Sequence, residues 1–518
     1  MRSVQIILVL VVFATVVATF AQRWRMPAPS LLVVAGVLVG LLPHVPKVQI
    51  TPDVISLVVL PPLLFAAGEE LSARELRKVW RPVVVLSVGL VLASAGAVAV
   101  VAGLVTPLPL SMAFLLGAVL ASTDPVAVTA LGRRLALPPR MQMLVQAESL
   151  FNDATSLILF RIAVVAAVTG GSLTVAGVTG HFLLLAGGGV AAGVVVAGVV
   201  GLVRSRTEDP VVETVVTLVT PYGAYVLAEG FHASGVTAVV TASVLLGFFA
   251  SRLSAPATRL HVAAVQGTVV FLLESVVFSL IGLALPDLIH RLSTAGQPWL
   301  VGSLVITATL LLARIAWIFP LVAFRRWRQA AAQPLRMAWR VPAVLSWAGA
   351  RGVVPLAAAL SIPLTGAAGA PVQFRDLVQV IAIAVIVISL VVQGFTLAPL
   401  VRWTGLAIAP DDERAELIRV RRRLAEAGLD YVQEQAGLEA VAPVVAERVR
   451  RSLQTRLDLT QEAEGSVEAD YRDLRRAVVL VQRAELERLH EEGAASESTR
   501  RKIERQLDLE DTRYGEES

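Results

Sequence analysis

Six ionisable residues, Asp124, Glu148, Asp153, Glu274, Arg314 and Arg351, stand inside long apolar stretches of this sequence. A charge carried into such a stretch costs on the order of several kcal/mol unless it is paired or wetted. Each of the six must therefore be half of an ion pair or a group that faces a polar cavity. Carboxylates flanked by hydroxyl side chains supply hard oxygen ligands, a set suited to a proton or a hard cation. Thiolate chemistry is excluded, since the 518 residues include no cysteine. The HExxH, GxSxG and GxxxxGK(S/T) patterns are missing as well, which removes the common metalloprotease, hydrolase and phosphate-loop readings.

The stretch Glu148-Ser-Leu-Phe-Asn152-Asp153-Ala-Thr-Ser156 is the most informative. On a helix, Glu148, Asn152 and Ser156 follow at i+4 and share one stripe, while Ser149 and Asp153 make a neighbouring one. Asp153 lies five positions after Glu148, about 140° around a helix of 3.6 residues per turn. The two acids point apart. One can pair with an arginine while the other lines a cavity with Ser149 beside it, supplying oxygen ligands of the kind that Na⁺-like cations prefer.

Two further stretches place a helix breaker beside a charge. Ala121-Ser-Thr123-Asp124-Pro125 combines proline with small hydroxyl residues, and Gly349-Ala-Arg351-Gly352-Val-Val-Pro355 surrounds an arginine. Proline removes a backbone donor and frees the carbonyl one turn earlier, so local unwinding is expected where a cavity can satisfy the backbone. Half-helix dipoles meeting at such breaks are offset by charges of opposite sign, and Asp124 and Arg351 are available for that role.

These residues need elements to hold them. The chain is 56% apolar and only 16% charged, where a soluble protein carries about a quarter charged residues. Windows of about 20 apolar residues, enough to cross a hydrocarbon core roughly 30 Å thick, recur about thirteen times. Their approximate limits are 4–20, 29–46, 52–68, 82–106, 109–131, 141–168, 177–203, 210–229, 232–251, 260–287, 298–324, 341–363 and 377–401. The first also has the form of a secretory signal, but Arg23 and Arg25 directly after it favour a retained span. With the N-terminus outside, the cytoplasmic connections hold 19 Lys/Arg, while only Arg2, Lys47, Arg291 and Arg375 fall outside. That asymmetry predicts an external N-terminus and a cytoplasmic C-terminus. Measured at about 1.5 Å per residue from the cytoplasmic arginines, Asp124 lies roughly 13 Å deep, Asp153 roughly 20 Å, and Arg314 and Arg351 roughly 16 Å.

Taking spans 1–6 and 8–13 as two sets, the fifth member of each is the one interrupted beside a charge. The sets then enter the membrane from opposite sides, the inverted repeat of many secondary transporters, with the ion site at the paired broken helices. Charge divides the chain once more. Residues 1–410 hold 26 Lys/Arg against 14 Asp/Glu, and residues 411–518 hold 19 against 26. The positive excess belongs to membrane loops, so nucleic acid is not an expected partner. The acidic remainder reads as charged helices over 413–436, 446–464 and 467–492, a cytoplasmic tail that packs on itself, on a twin or on an unidentified regulator. The expected class is all-α: a polytopic membrane protein of about 13 transmembrane helices in two inverted six-helix repeats with crossed broken helices. A transmembrane domain covers 1–405 and a helical tail covers 411–518.

With these residues in place, the chain resembles the monovalent cation:proton antiporters of the NhaP and animal sodium/proton exchanger type. The resemblance covers residues 1 to about 405. It rests on Pro61-Pro-Leu-Leu-Phe65, Ala121-Ser-Thr-Asp-Pro-Val-Ala-Val128, Glu148-Ser-Leu-Phe-Asn-Asp153, Ala313-Arg314 and Ala350-Arg351-Gly352, in that order. It implies a core domain of spans 4–6 and 11–13, a dimer domain of spans 1–3 and 8–10, a linking seventh helix, and a homodimer in the cell membrane. It also implies that Asp153 is the exchanging carboxylate, preceded by Asn152 as in electroneutral members. Thr123, Asp124 and Ser149 become its neighbours in the cation site, with Asp153, Thr123 and Ser149 as Na⁺ ligands. Glu148 and Arg314 would form the core ion pair, and Glu274 matches a family acid. One departure stands out: many bacterial relatives carry an acid directly after the Pro-Pro-Leu-Leu-Phe run, and here that place is Ala66. Glu70, with Glu69 beside it, is the accessory candidate. Next to Arg74 and Lys78, both acids also fit plain solvation at the cytoplasmic end of the third span.

The expected activity is exchange of Na⁺ or Li⁺ for H⁺, 1:1 and electroneutral, by competitive binding at Asp153 with alternating access. It needs no cofactor and no enzyme chemistry. K⁺/H⁺ exchange is the nearest alternative, because one carboxylate with hydroxyls selects through cavity size. An intramembrane hydrolase using Asp124 and Asp153 as acid and base is more distant, given the paired broken spans and the missing nucleophile motif.

Overall fold

The computed structural model describes residues 12–17, 19–20, 23, 28–42, 55–124, 137–169, 175–207, 209–294, 299–329, 339–366, 371–406, 410–437, 442–461, 467–492, 499–500, 502–504 and 506–507. These residues are helical almost throughout, and the one β feature among them is an isolated bridge between Thr365 and Pro371. The chain divides into two compact units, Met1–Ala407 and Ile408–Ser518.

In the first unit the helices are α1 (Ala28–Gly40), α2 (Ile55–Glu69), α3 (Ala73–Val105), α4 (Leu110–Leu120), α5 (Pro139–Thr169), α6 (Val175–Arg204), α7 (Pro210–Gly230), α8 (Gly235–Leu253), α9 (Pro256–Thr294), α10 (Trp299–Gln329), α11 (Arg340–Trp347), α12 (Val353–Leu360) and α13 (Arg375–Thr404). Among the described residues, seven helices (α3, α5, α6, α7, α9, α10 and α13) are long and apolar enough to cross a membrane, and α1, α2, α4 and α8 are shorter apolar helices. They follow the apolar windows of the sequence. The window at 341–363 is divided, as its glycines suggest, into α11 and α12. Pro125 and the rest of the fifth window lie outside the described residues, as do Arg2, Arg25, Lys47, Arg133, Arg134 and Arg336. Within α3 a wide π turn lies at Val85–Leu90, three residues after Pro82.

Apolar side chains alone do not drive helices together in lipid, so close approach depends on small residues. At the crossing of α1 and α9, a Cβ on Gly36 would lie 2.8 Å from the Ser279 carbonyl oxygen and 2.9 Å from Gly282 Cα. Gly117 of α4 abuts the Ala95 carbonyl of α3, and Gly189 and Gly193 of α6 abut Thr237 and Thr241 of α8. Two bundles result. Helices α1, α2, α6, α7, α8 and α9 pack chiefly on one another, while α3, α4, α5, α10, α11, α12 and α13 form the second group.

In the second unit α14 (Pro410–Gly437) packs on α15 (Pro443–Gln461), with Gly428 against Leu453. On α16 (Val467–Glu491), Val479 and Leu486 meet Leu507, and Arg500 reaches Glu487. Surface charges pair along the helices. Hydrogen bonds from Arg450 and Arg451 hold the Glu447 carboxyl below the usual carboxylate range.

The glycine contacts give a direct test. Gly117→Val overpacks the α3–α4 crossing, at a cost of about 1–3 kcal/mol, and is expected to lower the thermal midpoint of the purified protein in detergent. Gly223→Ala, whose Cβ meets nothing within 4 Å, leaves the midpoint unchanged or raises it. Equal midpoints for the two variants would contradict this packing.

Candidate functional site

Helix α4 ends at Leu120, and Ser122–Asp124 continue without helical hydrogen bonding. Opposite, α11 stops at Trp347 and α12 starts at Val353, leaving 348–352 as a second interruption. The two touch, for the Asp124 N–H donates to the Ala350 carbonyl at 2.7 Å. Both glycines of the second interruption are sterically required. A Cβ on Gly352 would collide with the Asp124 carboxylate, and one on Gly349 would lie 2.6 Å from Arg314 Nε.

Backbone groups freed in an apolar setting need side-chain partners, since water is not at hand. Arg351 provides two of them. Its Nε donates to the Leu120 carbonyl at 3.1 Å, and its guanidinium also donates to the Gly349 carbonyl. Leu120 closes α4 and Gly349 lies just past α11, so the cation sits at two helix C-termini, where the helix dipole favours it. The Arg351 N–H in turn donates to Ser389 Oγ on α13 at 3.1 Å.

Helix α5 holds the first interruption. Asn152 clamps Thr123 twice: its Oδ1 accepts from the Thr123 N–H at 3.2 Å, and its Nδ2 donates to Thr123 Oγ1 at 2.6 Å. Ser149 Oγ donates to the Thr123 carbonyl at 2.5 Å, and Ser156 Oγ to the Ala118 carbonyl at 2.6 Å. Ser122 donates to the Asp153 carboxylate. Asp153 is 7% exposed, and among the described residues Ser122 is its one hydrogen-bond donor and no cation pairs with it.

Glu148 has the opposite surroundings. Arg314 of α10 binds it through two parallel hydrogen bonds of 2.6 and 3.1 Å, with the side chains 3% and 1% exposed. Arg314 Nε also donates to the Leu345 carbonyl of α11 at 3.1 Å, so the pair joins α5, α10 and α11. Asp124 is half-buried at the crossing and within Coulombic reach of both Asp153 and Glu274, the latter half-buried on α9. Asp124, Thr123, Ser149, Asn152, Asp153, Glu148, Arg314 and Arg351 are thus brought together, with Glu274 close by.

Glu70 is not part of this group in the same sense; it caps the end of α2 and is exposed. Glu69 corrects the solvation reading. It pairs with Arg204 at 3.2 Å and accepts from Gln266 at 3.2 Å, because α6, α8 and α9 cover the end of α2. Arg204, counted from sequence among the loop cations, is 3% exposed for the same reason. Sequence reasoning does not single out Ser122 or Ser389. The first stands next to Thr123-Asp124 in the interrupted segment, a usable signal. The second lies in an unbroken helix and carries none.

Two interrupted helices meeting beside a buried carboxylate are the arrangement found at the ion sites of secondary transporters. The chain belongs to the sodium/hydrogen exchanger family, whose transmembrane region matches residues 8–403. A protein of Mycobacterium tuberculosis named an uncharacterized Na⁺/H⁺ exchanger is 33% identical, over 98% of this chain and 95% of its own length. The low-affinity Na⁺/H⁺ antiporter NhaS1 of Synechocystis is 32% identical over 80% of this chain and 77% of its own. The sodium proton antiporter MjNhaP1 of Methanocaldococcus jannaschii has the same fold, with a TM-score of 0.64 at 20% identity over 77% of this chain and 98% of its own. The protein is therefore a multi-pass membrane cation/proton antiporter, a transporter and not an enzyme, and its helical antiporter fold is the one expected from the sequence.

Removing one member of the buried pair leaves an uncompensated charge. Glu148→Gln and Arg314→Met should each destabilise the protein by about 3–5 kcal/mol, whereas the double change Glu148→Leu with Arg314→Met recovers most of the loss. Thermal unfolding in detergent reads this; additive losses would show that the two side chains are not coupled.

Proposed function

We propose that the protein exchanges Na⁺ or Li⁺ for H⁺ at Asp153, one for one, by alternating access across the cell membrane. Residues 1–405 are the transporting domain, acting as a homodimer with the N-terminus outside. Residues 411–518 form a cytoplasmic tail open to a regulator. The observation that supports this reading best is the contrast between two acids on one helix. Glu148 is neutralised by Arg314, whereas Asp153 has a hydroxyl donor and, among the described residues, no counter-cation.

A lone carboxylate in a low dielectric is stabilised by whichever positive charge reaches it, and a proton and a cation exclude each other there. Competition of this kind is sufficient for coupling. Thr123 and Ser149 direct their hydroxyl chemistry at the same interruption and offer oxygen lone pairs to a cation at Asp153. Asn152 keeps Thr123 in place, Arg351 holds the helix ends, and Asp124 adds negative potential beside the site. One positive charge replaces another, so the loaded carrier crosses with the same net charge in both directions.

In proteoliposomes, Asp153→Asn is expected to abolish both Na⁺-driven proton movement and its reverse, to the level of protein-free vesicles; retained exchange contradicts the assignment. Imposing a potential of 100 mV should leave the wild-type rate unchanged, although one net charge moved would feel about 2.3 kcal/mol. Dissipation of a pH gradient by K⁺ but not by Na⁺ or Li⁺ would identify the K⁺/H⁺ alternative instead. Deleting 411–518 should leave exchange in place if the spans are the machine.

A further inference from the structure

We infer that Arg161 and Glu229 form a latch across the access path on the far side of Asp153, and that it controls how readily this path opens. The inference rests on Asp153 as the exchanging carboxylate. In the proposed topology the far side is the extracellular one.

Arg161 lies eight residues beyond Asp153 on α5, with Leu157 midway, so the three share one face over roughly 12 Å. Against that face is a cavity of about 230 Å³. Its walls include Leu157 and Phe160 of α5, Ala358 and the adjoining Ser361 of α12, Ser56 of α2 and Tyr225 of α7. Helices α5 and α12 belong to the bundle that carries Asp153, while α2 and α7 belong to the other. The cavity is therefore bounded by both bundles, and any relative movement of the two changes its width.

The latch joins the same two bundles. Arg161 Nη1 donates to Glu229 Oε1 at 2.6 Å and to the Ala233 carbonyl at 2.9 Å. The accepting side is firmly held. Glu229 also accepts from the Gly235 N–H at 3.4 Å, at the start of α8, where a helix N-terminus favours a carboxylate. The turn between α7 and α8 bends through His232 at φ 56°, the Ser234 N–H is bound to the Leu185 carbonyl of α6 at 3.1 Å, and Ser234 Oγ caps the Thr237 N–H. Arg161 thus reaches from the moving face of one bundle to a fixed turn on the other.

Exposure separates this pair from the site's own ion pair. Arg161 and Glu229 are 36% and 34% exposed, so neither is enclosed by protein when the contact parts. Glu148 and Arg314 are closed off inside one bundle. A partly exposed contact through one hydrogen bond between bundles suits a contact made and broken in each cycle; a buried bidentate contact within a bundle does not.

The chain has no cysteine, so Ser361→Cys places a sole thiol in the cavity wall. In sealed vesicles of known orientation, a membrane-impermeant maleimide added outside should label it slowly. Adding Arg161→Ala or Glu229→Gln should raise that rate about threefold or more, while Arg161→Lys, which keeps the charge, stays near the original rate. Glu229→Gln is the milder change and decides the matter if Arg161→Ala does not fold. Unchanged labelling in the variants that fold overturns the latch, and so does labelling reached only from the cytoplasmic side. Labelling reads the latch whether or not Asp153 carries the ion, so its failure is distinguishable from retained exchange in Asp153→Asn.

Discussion

A helix that stops inside a membrane leaves amide and carbonyl groups that no water reaches, and the centre of this protein is organised around meeting them. Two such stops cross here. Arg351 donates to the Leu120 and Gly349 carbonyls, Asn152 clamps Thr123, and Ser149 and Ser156 bind the Thr123 and Ala118 carbonyls. Most of these side chains are directed at backbone, while Glu148 is paired with Arg314. Asp153 differs from both, with a carboxylate that accepts from Ser122 and, among the described residues, pairs with no cation. The interruption and the proposed exchange site thus coincide: the backbone break creates the polar pocket, and the side chains that stabilise it leave Asp153 without a paired cation among the described residues.

Charge pairs in the rest of the membrane unit divide by where they sit. Glu148 with Arg314, dry and bidentate, locks helices of one bundle together. Glu69 with Arg204, joined by Gln266, does the same at the end of α2 in the other bundle. Only small residues let these helices come close enough for such contacts, as Gly36 and Gly282 do for α1 and α9. The pair Arg161 and Glu229 is more exposed and connects the two bundles.

Much of this was legible in the sequence, because membrane spans are set by length and hydropathy and those are local properties. The separation of Glu148 from Asp153 follows from helical angle alone, and the surroundings of the two acids differ as that angle requires. The glycines and proline flanking Arg351 likewise announce the break between α11 and α12. What stayed hidden depends on which helices become neighbours. Glu69 stands beside Arg74 and Lys78 in sequence, yet it pairs with Arg204, 135 residues away. Ser389 meets Arg351 from an unbroken helix, and Glu229 meets Arg161 across 68 residues. Single residues of this kind carry no periodic signal, so only the assembled bundle reveals their partners.

The central claim is that one carboxylate serves proton and cation in turn, and calorimetry tests it without reference to transport. Na⁺ should be titrated into the purified wild-type protein and the Asp153→Asn variant, each in buffers of differing ionisation enthalpy. At a pH low enough for Asp153 to carry its proton, the account predicts release of about one proton for each Na⁺ bound by the wild type, falling as the pH rises, and no coupled release in the variant. Na⁺ binding to the wild type with no proton released at any pH, or proton-coupled binding that survives Asp153→Asn, would contradict it.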